Sequence, residues 1–138
     1  MKKLLAIFII LCLSGTSFAG SALTGTRFGE DEVPQPRLIS PARDVIDLSG
    51  KDELVFKWSP HERARGFRDY YDFRLYKGYD MLAGSLIMKR QVDPNTYELR
   101  LPSNAYENGS TYTWSLRQVY DATRKSRRSY QSFKVIKK

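Results

Sequence analysis

Hydrophobic and polar residues alternate in two aromatic-rich runs of the chain, residues 53–58 and 111–116. The hydrophobic positions of the two runs are Leu54, Phe56, Trp58, Tyr112, Trp114 and Leu116. Successive side chains of a β-strand point to opposite faces, so a period of two predicts a strand with one buried face. Each run is therefore predicted to form a strand of a half-buried sheet.

Shorter segments of the same kind recur along the rest of the chain and are separated by turn residues. The predicted strands are 38–39, 53–59, 70–76, 85–89, 96–101, 111–120 and 131–136. Pro41 after the first strand favours an edge position, because proline has no N–H for a sheet ladder. Residues 61–69 contain Gly66 and follow Pro60, which predicts a loop. No long helical stripe and no internal repeat is present, so this spacing predicts an all-β domain of seven strands.

The first residues have the pattern of a secretory signal. Lys2 and Lys3 precede an apolar stretch over 4–13, and small residues at Ser17 and Ala19 predict cleavage after Ala19. A membrane anchor is the alternative, but a bilayer-spanning helix needs about 20 apolar residues. Cys12 lacks the preceding small residues of a lipid-attachment site. We therefore predict a signal peptide over 1–19, no stable membrane span, and export to the periplasm or the extracellular space. The Met-Lys-Lys start favours a bacterial source.

Composition divides the remaining chain into a leader and one domain. Residues 20–35 contain Gly, Ser, Thr and an acidic run at 30–32, with Pro34 near the end, which predicts a flexible leader. The acidic run has neither the ligand spacing nor the turn glycine of a calcium loop. Residues 36–138 contain no cysteine, so the domain must depend on its hydrophobic core, and about 100 residues suffice for one such core.

Residues 36–138 resemble a fibronectin type III domain, an immunoglobulin-like β-sandwich. Trp58 on the second strand and the Tyr112-x-Trp114 pair on the sixth carry the resemblance. It implies a seven-stranded sandwich in which Trp58 and Trp114 mark facing inner surfaces and Tyr112 is a structural corner residue. The hydroxyl of a corner tyrosine bonds back to nearby backbone.

Other positions follow the same family pattern or depart from it. Ser129, Phe133 and Val135 resemble the end of the family's last strand. Tyr106 stands where the family has an aliphatic residue, and Asn108 stands where it has proline. The sandwich hosts adhesion, scaffolding and receptor roles, so the resemblance implies a fold rather than an activity.

Residues for catalysis are scarce in this chain. His61 is the single histidine, and with Pro60 and Glu62 beside it we predict a solvated turn position rather than a general base. No glycine-rich phosphate loop is present, and the lone cysteine lies in the predicted signal. We therefore expect a protein that is not an enzyme and that uses no cofactor, no catalytic residue and no metal site.

The chain is basic, with a formal net charge of +8 that falls to +6 when Lys2 and Lys3 leave with the signal. The charge favours an anionic partner, or it provides solubility without any partner. The family topology implies that the loops after strands two, four and six meet at one end of the sandwich. We name their cations the basic rim: Arg63, Arg65, Arg68, Lys89, Arg90, Arg124, Lys125, Arg127 and Arg128. The alternative is that these are ordinary solvated loops with locally paired charges.

The function predicted from these features is an exported, non-enzymatic binding or adhesion module that recognises an anionic glycan, a lipid headgroup or an acidic protein through the basic rim. Nucleic acid is a poor candidate, because export separates the chain from most of it. The alternative is a structural component of a cell-envelope assembly, joined by strand addition at the edge strand 38–39 or 85–89.

Overall fold

The computed structural model describes residues 33–59, 70–120 and 124–138. Its strands are β1 (Arg37–Ser40), β2 (Val45–Asp47), β3 (Glu53–Ser59), β4 (Tyr70–Lys77), β5 (Leu86–Val92), β6 (Glu98–Pro102), β7 (Thr111–Val119) and β8 (Ser129–Ile136). Single 3-10 turns at Ala83–Ser85 and Ser103–Ala105 precede β5 and follow β6. One sheet has the order β1-β3-β6 and the other β2-β8-β7-β4-β5. All pairs are antiparallel except β2 with β8. The predicted all-β sandwich is confirmed.

The described residues form eight strands, and the predicted number of seven is corrected by β2. This strand covers only Val45–Asp47 and pairs in parallel with β8. Three residues are too few for an alternating pattern to be recognised in the sequence. The strand is therefore defined by its pairing with β8. The segment 61–69 and the predicted signal lie outside the described residues.

Aromatic side chains from both sheets form the centre of the core. Phe56 on β3 lies 5.1 Å from Phe73 on β4 and 5.0 Å from Trp114 on β7, measured between ring centroids. Trp58 contacts Tyr71 of the opposite sheet at 5.5 Å. These pairs are edge-to-face, the geometry that aromatic quadrupoles favour. The two alternating runs therefore supply facing inner surfaces of one sandwich.

A tyrosine corner closes the start of β7. The Tyr112 hydroxyl accepts a hydrogen bond from the Glu107 backbone N–H at 2.7 Å, so the buried ring leaves its polar atom paired. Tyr106 stands edge-on to this ring at 5.1 Å and fills the aliphatic position of the family pattern. Gly109 has a φ of 78° and allows the turn between them.

The packed chain begins before the predicted domain boundary at residue 36. Val33 is buried and clusters with Tyr120. The side-chain amide of Gln118 donates to the Pro34 carbonyl at 2.7 Å, and that of Gln35 donates to the Arg128 carbonyl at 2.8 Å. Residues 33–35 therefore contact the sandwich and do not belong to a flexible leader. Within the described ranges, no helix has the length and apolar character needed to span a membrane.

Candidate functional site

The segment between β7 and β8 folds back on the end of β7 through backbone hydrogen bonds. The Tyr120 N–H donates to the Arg124 carbonyl at 3.0 Å, and the Ser126 N–H donates to the Gln118 carbonyl at 2.9 Å. The Ser126 hydroxyl oxygen in turn accepts from the Gln118 N–H at 2.9 Å. Lys125 forms an isolated bridge with Val119. The chain from 124 to 128 is therefore held against the sheet.

Three exposed cations project from this segment. We name Arg124, Lys125 and Arg127 the basic hairpin. The Arg124 guanidinium lies 5.7 Å from the centre of the Tyr120 ring, within the range of a cation–π contact. The basic hairpin thus presents three positive charges from a backbone that is hydrogen-bonded to the end of β7.

Only part of the predicted basic rim lies in the segment between β7 and β8. Arg63, Arg65 and Arg68 lie outside the described residues. Lys89 and Arg90 were predicted at the end of the fourth strand, 85–89, and in the loop after it, but both lie within β5, which continues to Val92. They pair with Arg74 and Phe73 of β4. Their predicted loop placement was wrong, because ladder pairing with β4 extends three residues beyond the predicted end of the strand.

Arg128, the last member of the predicted rim, turns onto the outer face of the five-stranded sheet. Its Nη2 donates to Asp72 Oδ2, and its Nη1 lies 3.3 Å from the Asp72 carbonyl and 3.2 Å from Ser115 Oγ. The side chain retains 17% exposure. Arg128 therefore ties the basic hairpin to the sheet and is not a free rim cation.

Asp72 collects two further arginines. Arg117 on β7 places both Nε and Nη2 at 3.1 Å from Asp72 Oδ2. Arg74 on β4 places Nε at 3.4 Å from Oδ1 and Nη2 at 3.3 Å from Oδ2. We name Asp72, Arg74, Arg117 and Arg128 the arginine cluster. The Asp72 carboxylate, with a side-chain exposure of 3%, thus has three guanidinium partners.

Opposing effects determine the ionisation of this cluster. Burial of Asp72 favours the neutral acid, but attraction to Arg128 and Arg74 and their hydrogen bonds outweigh it, so the pKa of Asp72 lies below its usual value. Burial lowers the pKa of Arg128, and repulsion from Arg117 and Arg74 adds to this, against the attraction of Asp72. The pKa of a guanidinium starts so far above neutrality that Arg128 stays charged at neutral pH despite this lowering. The cluster therefore carries one negative and three positive charges.

The arginine cluster was missed in the sequence because its members are far apart along the chain. Alternation in the predicted strand 70–76 sets Asp72 and Arg74 on the face opposite Tyr71 and Phe73, but it does not identify their partners. The sequence signal that could have pointed to the cluster was the acidic residue Asp72 between Tyr71 and Phe73. Its partners on β7 and before β8 follow only from strand register, which pairs Asp72 with Arg117.

A shallow recess lies on the same sheet. Its volume is about 180 Å³, below the roughly 300–1,000 Å³ typical of small-molecule sites. It is lined by Asp44, Tyr79, Thr111, Gln131, Ser132, Phe133 and Lys134. No group of three or more metal-ligating side chains is assembled by the residues of the three described ranges. The charged surfaces are therefore stronger candidates for binding than this recess.

One solved structure relates this geometry to a known fold. The third fibronectin III domain of the human KIAA0343 protein aligns with a TM-score of 0.53 and 17% identity, covering 80% of this chain and 89% of that domain. No protein-family model and no curated protein sequence matches the chain. At this identity the likeness concerns the backbone alone. The chain accordingly has a fibronectin type III-like fold.

Proposed function

We propose that the protein is an exported, non-enzymatic binding or adhesion module that recognises an anionic partner through the basic hairpin. Fibronectin type III-like sandwiches often serve as binding or structural modules. The observation that carries the proposal is the set of three exposed cations on a backbone hydrogen-bonded to the end of β7. Loops on a rigid sandwich are common recognition sites.

The attachment of this segment favours recognition of an anion. Arg128 binds Asp72 and Ser126 bonds to Gln118, so the intervening Arg127 is flanked by anchored residues. Ordering a loop before binding lowers the entropy lost in the complex. A guanidinium also matches carboxylate, phosphate and sulfate through two parallel N–H bonds. These features support an anionic glycan, a lipid headgroup or an acidic protein as partner.

The test compares a triple variant, Arg124→Gln, Lys125→Gln and Arg127→Gln, with the wild type. The probes are heparin, polyglutamate and phosphatidylserine vesicles at low and high salt. If each cation contributes about 1 kcal/mol, the triple variant should lose about 3 kcal/mol, roughly 100-fold in affinity. Screening should weaken wild-type binding as salt rises.

The matched control removes three cations elsewhere, by Lys51→Gln, Lys57→Gln and Arg100→Gln. These residues lie on or beside the three-stranded sheet. The control should retain wild-type affinity, although the net charge falls equally. The proposal would be contradicted if the wild type bound none of the three probes. It would also be contradicted if wild-type affinity did not change between low and high salt.

A second candidate function is a structural role in a cell-envelope assembly, joined by strand addition. β1 and β5 are edge strands of their sheets, and Ile39, Leu86 and Ile87 are exposed apolar residues on them. Tyr79 and Leu82, in the connection before β5, are also exposed. An apolar group beside an unpaired edge favours association with a further strand.

The open side of β5 can be assigned from the hydrogen-bond pattern. The Gly78 N–H donates to the Thr111 carbonyl at 2.8 Å, so alternation along β4 directs the Arg74 backbone to β7 and the Phe73 backbone to β5. Lys89, opposite Arg74, then directs its backbone N–H to the open edge. Lys89→Pro should block strand addition while keeping the β4–β5 ladder.

The control for this second function is Lys89→Ala, which removes the same side chain and keeps the N–H. Association measured by cross-linking in envelope extract should be lost only in the proline variant. Equal association of both variants would argue against an assembly through β5.

A further inference from the structure

The outer face of the five-stranded sheet carries cations on four neighbouring segments. Lys89 on β5 lies opposite Arg74 on β4, and Asp72 on β4 lies opposite Arg117 on β7. Arg128 immediately precedes β8 and reaches the same Asp72. We name Lys89 and the arginine cluster the cationic face. It lies on the sheet beside the basic hairpin. Lys89 and Arg128 belong to the predicted basic rim, whereas Asp72, Arg74 and Arg117 do not.

The cationic face has more positive charge than its own acid can balance. Among the residues that the structure describes, Asp72 is the carboxylate in contact with Arg74, Arg117 and Arg128. Arg74 and Lys89 form a directly opposed pair of like charges, which destabilises an antiparallel sheet. Asp72 offsets one of these charges. Within the described ranges, three arginines therefore share one carboxylate on this surface, with Lys89 beside them.

The contacts with Asp72 orient the guanidinium groups of this face but use only some of their N–H donors. A guanidinium has about five N–H donors, and the contacts with Asp72 use two on Arg74 and two on Arg117. The side chains of Arg74 and Arg117 keep exposures of 26% and 25%. Donors that are held in position and open to solvent lose little conformational freedom when they bind an anion.

We propose that the cationic face binds carboxylate groups of an acidic polypeptide segment, with Arg74, Arg117 and Lys89 as the contacting residues. This inference rests on the proposed anionic partner and adds a second contact area on the sheet. The contacts with Asp72 use Nε and Nη2 of Arg74 and Arg117, so the Nη1 donors of these guanidiniums are the groups that would reach a second carboxylate. The backbone N–H of Lys89 at the open edge can also pair with peptide backbone, which favours a polypeptide over a sugar polymer or a lipid surface.

The experiment titrates polyglutamate into the wild type and into Arg74→Gln and Arg117→Gln. Each glutamine is uncharged and lacks the guanidinium, and each variant leaves Asp72 two other arginines. Loss of one charged hydrogen-bonding group should weaken binding roughly tenfold. Arg117→Lys should recover only part of the affinity, because it restores the charge without the planar fork. Arg100→Gln removes an arginine from β6 in the other sheet and should bind like the wild type.

A measurement on the wild type keeps the test valid where a variant fails to fold. In two-dimensional NMR, the Nε–H signals of Arg74 and Arg117 should shift on titration with polyglutamate, and that of Arg100 should not. Unchanged signals at Arg74 and Arg117 would overturn the inference.

The results also separate this inference from the proposed function. If polyglutamate binds and only the basic-hairpin triple variant loses affinity, the cationic face is overturned and the proposed function stands. If heparin binds and polyglutamate does not, the polypeptide assignment is overturned. If no anionic probe binds in a salt-sensitive way, the proposed function itself fails, and this inference fails with it.

Discussion

Two neighbouring tyrosines of the corner at the start of β7, Tyr106 and Tyr112, differ in the hydrogen bonding of their hydroxyl groups. The Tyr112 hydroxyl is paired with the Glu107 backbone N–H. The Tyr106 hydroxyl is buried and has no hydrogen-bond partner within the described ranges. Burial, with the nearby Tyr112 adding to it, raises the pKa of Tyr106, so its hydroxyl stays neutral. The aromatic ring of Tyr106 packs well, but its oxygen is a buried polar group without compensation.

Phenylalanine substitutions should therefore have opposite effects at these positions. Tyr106→Phe removes an unpaired buried hydroxyl and should leave the free energy of unfolding unchanged or raise it by about 1 kcal/mol. Tyr112→Phe removes a hydrogen bond and leaves the Glu107 N–H without that partner, which should cost about 1–2 kcal/mol. Urea denaturation of the two variants measures both changes. A larger loss for Tyr106→Phe than for Tyr112→Phe would contradict this account.

The basic hairpin depends on a serine as well as on its charged residues. Ser126 is buried, accepts from the Gln118 N–H, and donates from its hydroxyl to the Arg127 carbonyl at 2.7 Å. The same residue bonds to Gln118 through its backbone N–H. Ser126 therefore bonds to both backbone groups of Gln118, to the N–H through its side chain and to the carbonyl through its own N–H.

Ser126→Ala should loosen this segment without changing its charge. It removes the acceptor of the buried Gln118 N–H and should cost about 1–3 kcal/mol. Hydrogen exchange at the Gln118 amide should accelerate, and affinity for the anionic probe should fall. Ser129→Ala is a comparison on the same strand connection, because Ser129 Oγ bonds to the Pro36 carbonyl instead. Equal exchange at Gln118 in the wild type and in Ser126→Ala would show that the serine does not hold the segment.

At the scale of the whole molecule, the arginine cluster links stability to charge across one sheet. It joins β4, β7 and the residue before β8 on the outer face, opposite the aromatic core. The pKa of Asp72 is depressed in the folded chain, so folding favours the ionised form. This contribution to stability is present above the ordinary aspartate pKa and is lost as pH falls through the lower, folded value.

Asp72→Asn should therefore destabilise the protein most at neutral pH. Removing one partner from a buried ion pair typically costs about 3–5 kcal/mol, and here three cations lose their shared carboxylate. The difference from the wild type should shrink below about pH 4, where the aspartate of the unfolded chain takes up a proton, and should keep falling as pH passes the lower pKa of folded Asp72. Urea unfolding at a series of pH values measures this difference. Asp44→Asn removes an exposed carboxylate and serves as the control. A constant difference at all pH values would argue against ionised Asp72 as the source.

Much of the fold was predictable from the sequence because the information is local. Alternation in β3 and β7 assigned their buried faces, and the pattern around Tyr112 predicted the corner. The three-residue β2 and the extension of β5 were not predictable, because each is formed by pairing with a strand distant in the sequence. Burial of Val33 likewise requires its contact with Tyr120, which follows β7 and is distant from Val33 in the sequence.

The sequence by itself determined the all-β class, the aromatic core and an excess of positive charge, since period, composition and charge are properties of the chain order. Only the tertiary structure decided how those charges are grouped. It assigned Lys89 to a sheet edge, attached Arg128 to Asp72, and left Arg124, Lys125 and Arg127 as exposed cations on the hairpin. Strand register brings residues 72, 117 and 128 together, and a Coulomb interaction depends on distance in space rather than on separation along the chain.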